Sequence, residues 1–232
     1  MSVTLNEKPA RQPLLQEGNP DPFRLALATR PEDDRIDELR RTAYASAGNF
    51  SITDPALIAR NSDPSDSLCL IIANRKTVAA TVRMVFARQR SRAEAVLQGP
   101  APLEDSLFPT MTLCRGATHP VYRGQGLMTF LVGIGVAVAR QAGVSSTTGM
   151  QVQGTRHYHG MLKSGWMSRD VSSEDVKCID FSESDMKLVY IDKTRYSYSE
   201  DYARQNFAQL RRALRSDEVI AQAGNIVRRM QN

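Results

Sequence analysis

Cysteine is scarce in this chain of 232 residues. Cys69, Cys114 and Cys178 are odd in number and far apart, so they form neither a disulfide framework nor a zinc-ligand pattern. All three are expected to be reduced and mostly buried thiols. Long apolar runs are missing as well. None approaches the roughly 20 residues of a membrane helix, and no basic start followed by an apolar stretch opens the chain. A cytoplasmic protein is expected. Histidine is rare, and His157 and His159, two apart, would point in different directions on a helix. No metal is expected. Aromatics make up only 6% of the residues. Beyond Tyr196, Tyr198, Tyr202 and Phe207 the basic tail has few stacking platforms, which argues against a nucleic-acid partner.

What the sequence does contain is the composition of a soluble globular protein, 41% hydrophobic and 24% charged. Its length suits one large domain, or a domain with an appended element. The net charge is +5. From residue 193 to 232 eight Lys or Arg stand against four Asp or Glu, so the tail alone carries +4. Such a tail suits either an acidic partner or a solvated helix surface.

Residues 1–21 hold several prolines and no apolar periodicity, and are expected to form a flexible N-terminal arm. "FRLALA" from Phe23 reads as a strand between prolines. "EDDRIDELRRTAYA" begins with acids and ends with arginines, the charge order that the helix dipole favours. "LCLIIAN" and "TVAATVRMVFA" are β-branched runs joined by "NRK", a hairpin signal. "MTLCRGATHP" reads as a strand closed by Pro120, and "LMTFLVGIGVAVARQAG" as a helix ended by Gly143. A strand "VSSTTGMQVQG", a short helix "TRHYHGMLKSGW" and a strand "MKLVYID" follow. From Tyr198 the chain reads as helical, with a break at Ser216-Asp217 and Phe207, Leu210 and Leu214 on one stripe. The pattern is mixed α/β, antiparallel at its start and parallel in its middle.

The stretch "HPVYRGQGLM" at 119–128 therefore joins a strand to a helix N-terminus. Unpaired amides there, reached through glycines, suit a phosphate or diphosphate. A P-loop requires GxxxxGK[ST], which is absent. The dinucleotide pattern GxGxxG fails because Thr129 stands at its last glycine, and "GIGVAV" inside the helix reads as close packing. The remaining pattern, Arg123, Gly124, Gln125, Gly126, Leu127 and Met128, resembles the acyl-carrier diphosphate loop of the GNAT acyltransferase superfamily. Met128 replaces the usual Gly or Ala. The short helix that ends in Gly165-Trp166, about forty residues on, matches a helix ending in Gly-Phe in that superfamily. The resemblance covers roughly residues 23–192.

It implies a GNAT fold, an α/β (α+β) architecture whose mixed central sheet splays between its fourth and fifth strands. Helices would lie on both faces, with the acyltransferase domain at 22–195 and a C-terminal helical extension at 196–232. It further implies that the edge formed by Arg115, Gly116, Ala117 and Thr118 pairs with the pantetheine arm of the donor. The donor would be acyl-CoA or the acyl-phosphopantetheine of an acyl carrier protein.

A more particular resemblance rests on Arg40 and Tyr44, "DPSD" at Asp63 to Asp66, Arg83 in "TVRM" and Arg115 in "LCRGAT". Together they are similar to bacterial N-acyl amino acid synthases and acyl-homoserine-lactone synthases. This implies a medium or long acyl group moved to the amino group of a small molecule such as an amino acid, with Asp63, Asp66, Arg83 and Arg115 as catalytic candidates and an acyl carrier protein as partner. Here Cys114 replaces the family's Ser, and Thr112 an expected Glu. Met161 stands where many acetyltransferases place a tyrosine, with Tyr158 three residues earlier. The alternatives are a conventional acetyl-CoA N-acetyltransferase or a non-catalytic acyl-carrier-binding module. From the residues alone, an arginine inside an apolar strand requires a partner, which Asp63 and Asp66 could supply. A packed thiol is expected for Cys114, since nothing nearby in sequence activates it.

Overall fold

In a computed structural model the residues described are 12–15, 18, 20–28, 34–46, 67–172 and 185–231, with the backbone of 51–52 and 179–180. The strands are β1 Arg24–Ala28, β2 Ser51–Ile52, β3 Ser67–Ala73, β4 Val78–Ala87, β5 Thr110–Thr118, β6 Ser146–Val152, β7 Met167–Asp170, β8 Ile179–Asp180 and β9 Met186–Asp192. The helices are α1 Asp34–Ala45, α2 Arg90–Leu97, α3 Leu127–Ala142, α4 Arg156–Lys163, α5 Tyr196–Asn206, α6 Ala208–Ala213 and α7 Ser216–Gln231.

Seven strands form one sheet in the order β1-β3-β4-β5-β6-β9-β7, while β2 and β8 pair separately. The β3–β4 hairpin is the expected one. Asn74 closes its turn by accepting from the amides of Lys76 and Thr77. Only β5 and β6 run parallel. Their pairing covers Thr110–Leu113 against Ser146–Gly149 and then stops. Beyond it both strands continue, and the sheet opens between its fourth and fifth strands.

The two faces of the sheet differ because side chains alternate. Val82, Met84, Met111 and Leu113 face α3, and Cys69, Thr81, Arg83 and Cys114 face α1. Helix α3 has few polar side chains after its first turn, since it is covered on both sides. The sheet lies beneath it, with Leu113 against Gly135, and α5 and α7 lie above, with Ala203 against Gly133. The small residues of "GIGVAV" thus serve close packing. Full burial of Leu131, Val136 and Val138 contributes about 1.5–3 kcal/mol each. The C-terminal helices also break at Phe207 and around Leu214-Arg215, where Arg215 takes a left-handed φ of 48°.

Residues 12–15 of the expected arm lie against the body. Leu14 is only 3% exposed, and the amide of Gln12 donates to the Val121 carbonyl. One buried leucine and a few hydrogen bonds suffice to hold such a segment, and aperiodic sequence does not register them.

Candidate functional site

The opening in the sheet begins at a bulge. Thr81 pairs with Ala117 and Arg83 with Cys114, so Val82 alone stands opposite Arg115 and Gly116. Arg115 takes a left-handed φ of 52° there. An extra residue in one strand bends it and raises its twist, and β5 turns away from β6 just past Leu113. The edge from Cys114 to Thr118 then faces the gap without a strand partner from β6.

That edge leads into the glycine loop. After a 3-10 turn at Pro120–Tyr122 the chain reaches Gly124 and then Gly126, the N-cap of α3 with φ 75°. No side chain caps α3, and its first backbone bond runs from the Phe130 amide to the Gly126 carbonyl. Among the described residues the amides of 124–129 make no hydrogen bond within the protein. A row of unpaired amides at a helix start holds anions. Gly126 is required twice over, for its positive φ and because an added Cβ would stand 2.7 Å from Phe207 Cε1. Met128, which replaces the usual small residue, sends its sulfur over β5, where a Cβ on Gly116 would meet it at 2.9 Å. It forms part of the floor of the gap.

Two side chains of the loop are engaged inside the protein. Arg123 donates to the carbonyls of Ala43 and Ser46 at 2.7 and 3.3 Å and to Ser46 Oγ at 2.9 Å, so it closes the C-terminal end of α1. Partial burial lowers its pKa. Gln125 accepts from the Leu14 amide at 2.9 Å and donates to the Gln12 carbonyl at 2.5 Å. With both side chains engaged, what the loop leaves open is its backbone amides.

On the α1 face a second set of groups converges. Arg83, 3% exposed, directs Nε to Cys114 Sγ at 3.1 Å, and Arg40, fully buried, directs a guanidinium nitrogen to Cys69 Sγ at 3.8 Å. Cys69 Sγ also meets Thr81 Oγ1 at 3.4 Å. The Tyr44 phenol is pushed up to about 12, mainly by burial, while Arg40, Arg115 and Arg83 pull it down and Cys114 acts upward. Arg40, Tyr44, Arg83, Cys114 and Arg115 are thus neighbours on the α1 face, beside the opening in the sheet. Asp63 and Asp66 lie outside the described residues. Thr112 is fully buried, and its hydroxyl finds no partner among the described residues.

Helix α4 offers no free phenol. Tyr158 is buried and its hydroxyl meets Ser168 Oγ at 3.0 Å, and Met161 is 1% exposed. His157 instead reaches back to α3, with Nδ1 3.3 Å from Thr129 Oγ1, and burial lowers its pKa to about 4. It stays neutral near pH 7. Sequence reasoning missed the approach of Phe207 and of the 12–15 segment to the loop. Phe207 was legible as one member of an apolar stripe, and nothing in the order of residues marks which end of α3 it meets.

No family model and no curated protein sequence matches this chain. Solved structures do. FeeM, an N-acyl amino acid synthase from uncultured soil microbes, is 9% identical and matches with a TM-score of 0.52 over 80% of this chain and 98% of that one. An N-acetyltransferase from Staphylococcus aureus Mu50 is 11% identical, with a TM-score of 0.52 over 74% of this chain and 98% of that one. Spermidine N-acetyltransferase from Vibrio cholerae, in complex with CoA and spermine, is 11% identical, with a TM-score of 0.51 over 75% and 98%. The chain has the fold of the GNAT acyltransferases, with the splayed sheet and the strand–loop–helix unit in the places expected.

Proposed function

We propose that this chain is an N-acyltransferase that moves an acyl group from a phosphopantetheine thioester to the amino group of a small molecule. One observation carries the reading. The edge of β5 past Leu113, to which β6 does not pair, runs directly into a row of amides at the start of α3 that make no hydrogen bond among the described residues. A phosphopantetheine arm has the same two parts in the same order, amides able to pair with a strand edge and then a phosphate or diphosphate. Arg115, Gly116, Ala117 and Thr118 would pair with the arm, and the amides of Gly124, Gln125, Gly126, Leu127 and Met128 would hold its phosphate end. The thioester then lies in the gap between β5 and β6.

The reaction requires a neutral amine, a stabilised carbonyl oxygen and a proton for the leaving thiolate. The amine nitrogen bonds to the carbonyl carbon, the C–S bond breaks, and one proton passes, in net terms, from nitrogen to sulfur. Positioning two reactants can supply roughly 7–11 kcal/mol of such a barrier. Arg83 and Arg115 give positive potential where the oxyanion develops, and Asp63 and Asp66 are assigned to the acceptor amine. The positive set of Arg40, Arg83 and Arg115 also suits an acceptor that carries a carboxylate, such as an amino acid. A medium or long acyl chain is what the resemblance of these residues to N-acyl amino acid synthases implies.

Mass spectrometry of the purified chain, incubated with a pool of amino acids and amines and with acetyl-CoA, long-chain acyl-CoA or acyl carrier protein, tests this. An N-acylated product with thioester cleavage is expected. Binding of donors without cleavage of any would place the chain among non-catalytic carriers and defeat the reading.

A further inference from the structure

We infer that Cys114 is the nucleophile that first takes the acyl group from the donor, so that the amine attacks an acyl-cysteine and the transfer proceeds in two steps. The inference rests on the proposed function, which places the donor thioester in the gap between β5 and β6. Cys114 stands at the vertex of that gap. Pairing with β6 ends at Leu113 opposite Gly149, and Cys114 is the next residue of β5. The group that assists it comes from the neighbouring strand. Arg83 stands opposite Cys114 in the β4–β5 register, is 3% exposed, and donates from Nε to Sγ at 3.1 Å. The sulfur is the acceptor in that contact, so negative charge that gathers on it, when it attacks or when it leaves, meets a fixed cation.

Two features separate Cys114 from a packed thiol. The first is access. Cys69 lies on the same face two strands away, and it too has a guanidinium beside it, that of Arg40 at 3.8 Å. Cys69 is fully buried, and Thr81 Oγ1 meets its sulfur at 3.4 Å. Cys114 is half-buried and sits where β5 has parted from β6. Of these two arginine–thiol pairs, the second is the one a ligand can reach. The other feature is a hydroxyl. Thr112, fully buried, lies on the same face of β5 two residues before Cys114, and its Oγ1 has no hydrogen-bond partner among the described residues. A buried hydroxyl left unpaired costs free energy. An acyl group on Cys114 brings a carbonyl oxygen to that side of the strand, the acceptor that Thr112 lacks.

In the first step Cys114 Sγ bonds to the carbonyl carbon of the thioester, the C–S bond to phosphopantetheine breaks, and the cysteine proton passes, in net terms, to the departing sulfur. One thioester replaces another, so the step is close to balanced in free energy. In the second step the amine nitrogen bonds to the same carbon, the bond from that carbon to Sγ breaks, and one proton passes from nitrogen to Sγ. The sum is the reaction of the proposed function. Sulfur suits both steps, as a strong nucleophile and a good leaving group.

Intact-mass spectrometry of the full chain with octanoyl-CoA or octanoyl-acyl carrier protein, first without an acceptor, tests this. A gain of one octanoyl group is expected, mapped to Cys114 and removed by neutral hydroxylamine as a thioester is. A pool of amino acids and amines should then discharge it as N-octanoyl product at least as fast as steady-state turnover, and initial rates should give the parallel lines of a ping-pong scheme. Cys114→Ser should lower kcat by on the order of 10³-fold or more, with the melting temperature little changed. Product formed without an adduct, with an adduct at another residue or one that discharges more slowly than turnover, or at undiminished kcat in Cys114→Ser, overturns the inference and leaves direct attack by the amine standing. No N-acyl product from either donor overturns the proposed function, and this inference with it.

Discussion

The two faces of one sheet have been given opposite tasks. On the α3 face, Val82, Met84, Met111 and Leu113 meet Phe130, Leu131 and Ile134, and the contact is dry. On the α1 face, the same strands present Thr81, Arg83 and Cys114 to Arg40 and Tyr44. Burying a guanidinium removes it from water, a cost that its partners must offset, so the second face depends on pairing where the first depends on apolar area. What it provides is positive potential beside the opening of the sheet. The α3 face holds the gap in shape, and the α1 face is where the proposed function puts the chemistry.

Breaking the dry face should produce the largest loss of stability. Leu131→Ala, at a position with no exposure, is expected to lower unfolding free energy by about 2–5 kcal/mol. Donor affinity per folded molecule should stay within about twofold. Denaturant melts with parallel titration would check both. The same side of the molecule holds a neutral histidine. His157 has a native pKa lowered to about 4 from an ordinary 6.5, so the unfolded chain takes up a proton first as pH falls. Its contribution is fully present above about 6.5 and is lost as pH drops toward 4, with a total on the order of 3 kcal/mol. In His157→Gln that part of the acid slope should vanish. An unchanged slope would show that other groups carry it.

The polar face should respond in rate as well as in stability. Arg83→Met removes a buried, partnered guanidinium from one side only, which costs on the order of 3–5 kcal/mol of folding free energy. Under the proposed function it should also lower kcat per folded molecule by about 10²-fold, comparable with removing one oxyanion donor. A variant that unfolds but keeps its specific rate would reverse the roles of the two faces.

The difference between the faces also decides what the sequence could reveal. Helix α3 was legible because apolar periodicity, two positive-φ glycines and Gly143 all point the same way. Arg83 and Arg115 were legible because a charge inside an apolar strand is conspicuous. Helix α2 has only weak amphipathic order and no side-chain cap, so nothing in its pattern marks where it begins. The four-residue strand β7 is too short for alternation to show. Nor could the bulge be read, since Arg115 takes a positive φ that arginine does not favour. Least legible were long-range meetings such as Gln125 with Leu14, or Phe207 with Gly126, because neither partner's neighbours encode the other.

Arg123 connects the two faces, and its variant sharpens the comparison with the smallest effect. Its side chain was expected to serve a diphosphate. In the structure its guanidinium spans three acceptors at the end of α1 and so ties the loop to the helix that carries Arg40 and Tyr44. Arg123→Lys separates these roles, because it keeps the charge and loses the planar fork. If the fork is what matters, stability should fall by about 1 kcal/mol, since the site is partly exposed and one or two hydrogen bonds are lost. Affinity for coenzyme A should then change less than about twofold, and any loss of rate should appear in kcat through the α1 face. A tenfold loss of affinity at unchanged stability would instead assign the guanidinium to the phosphates, and the backbone amides would no longer suffice as the anchor.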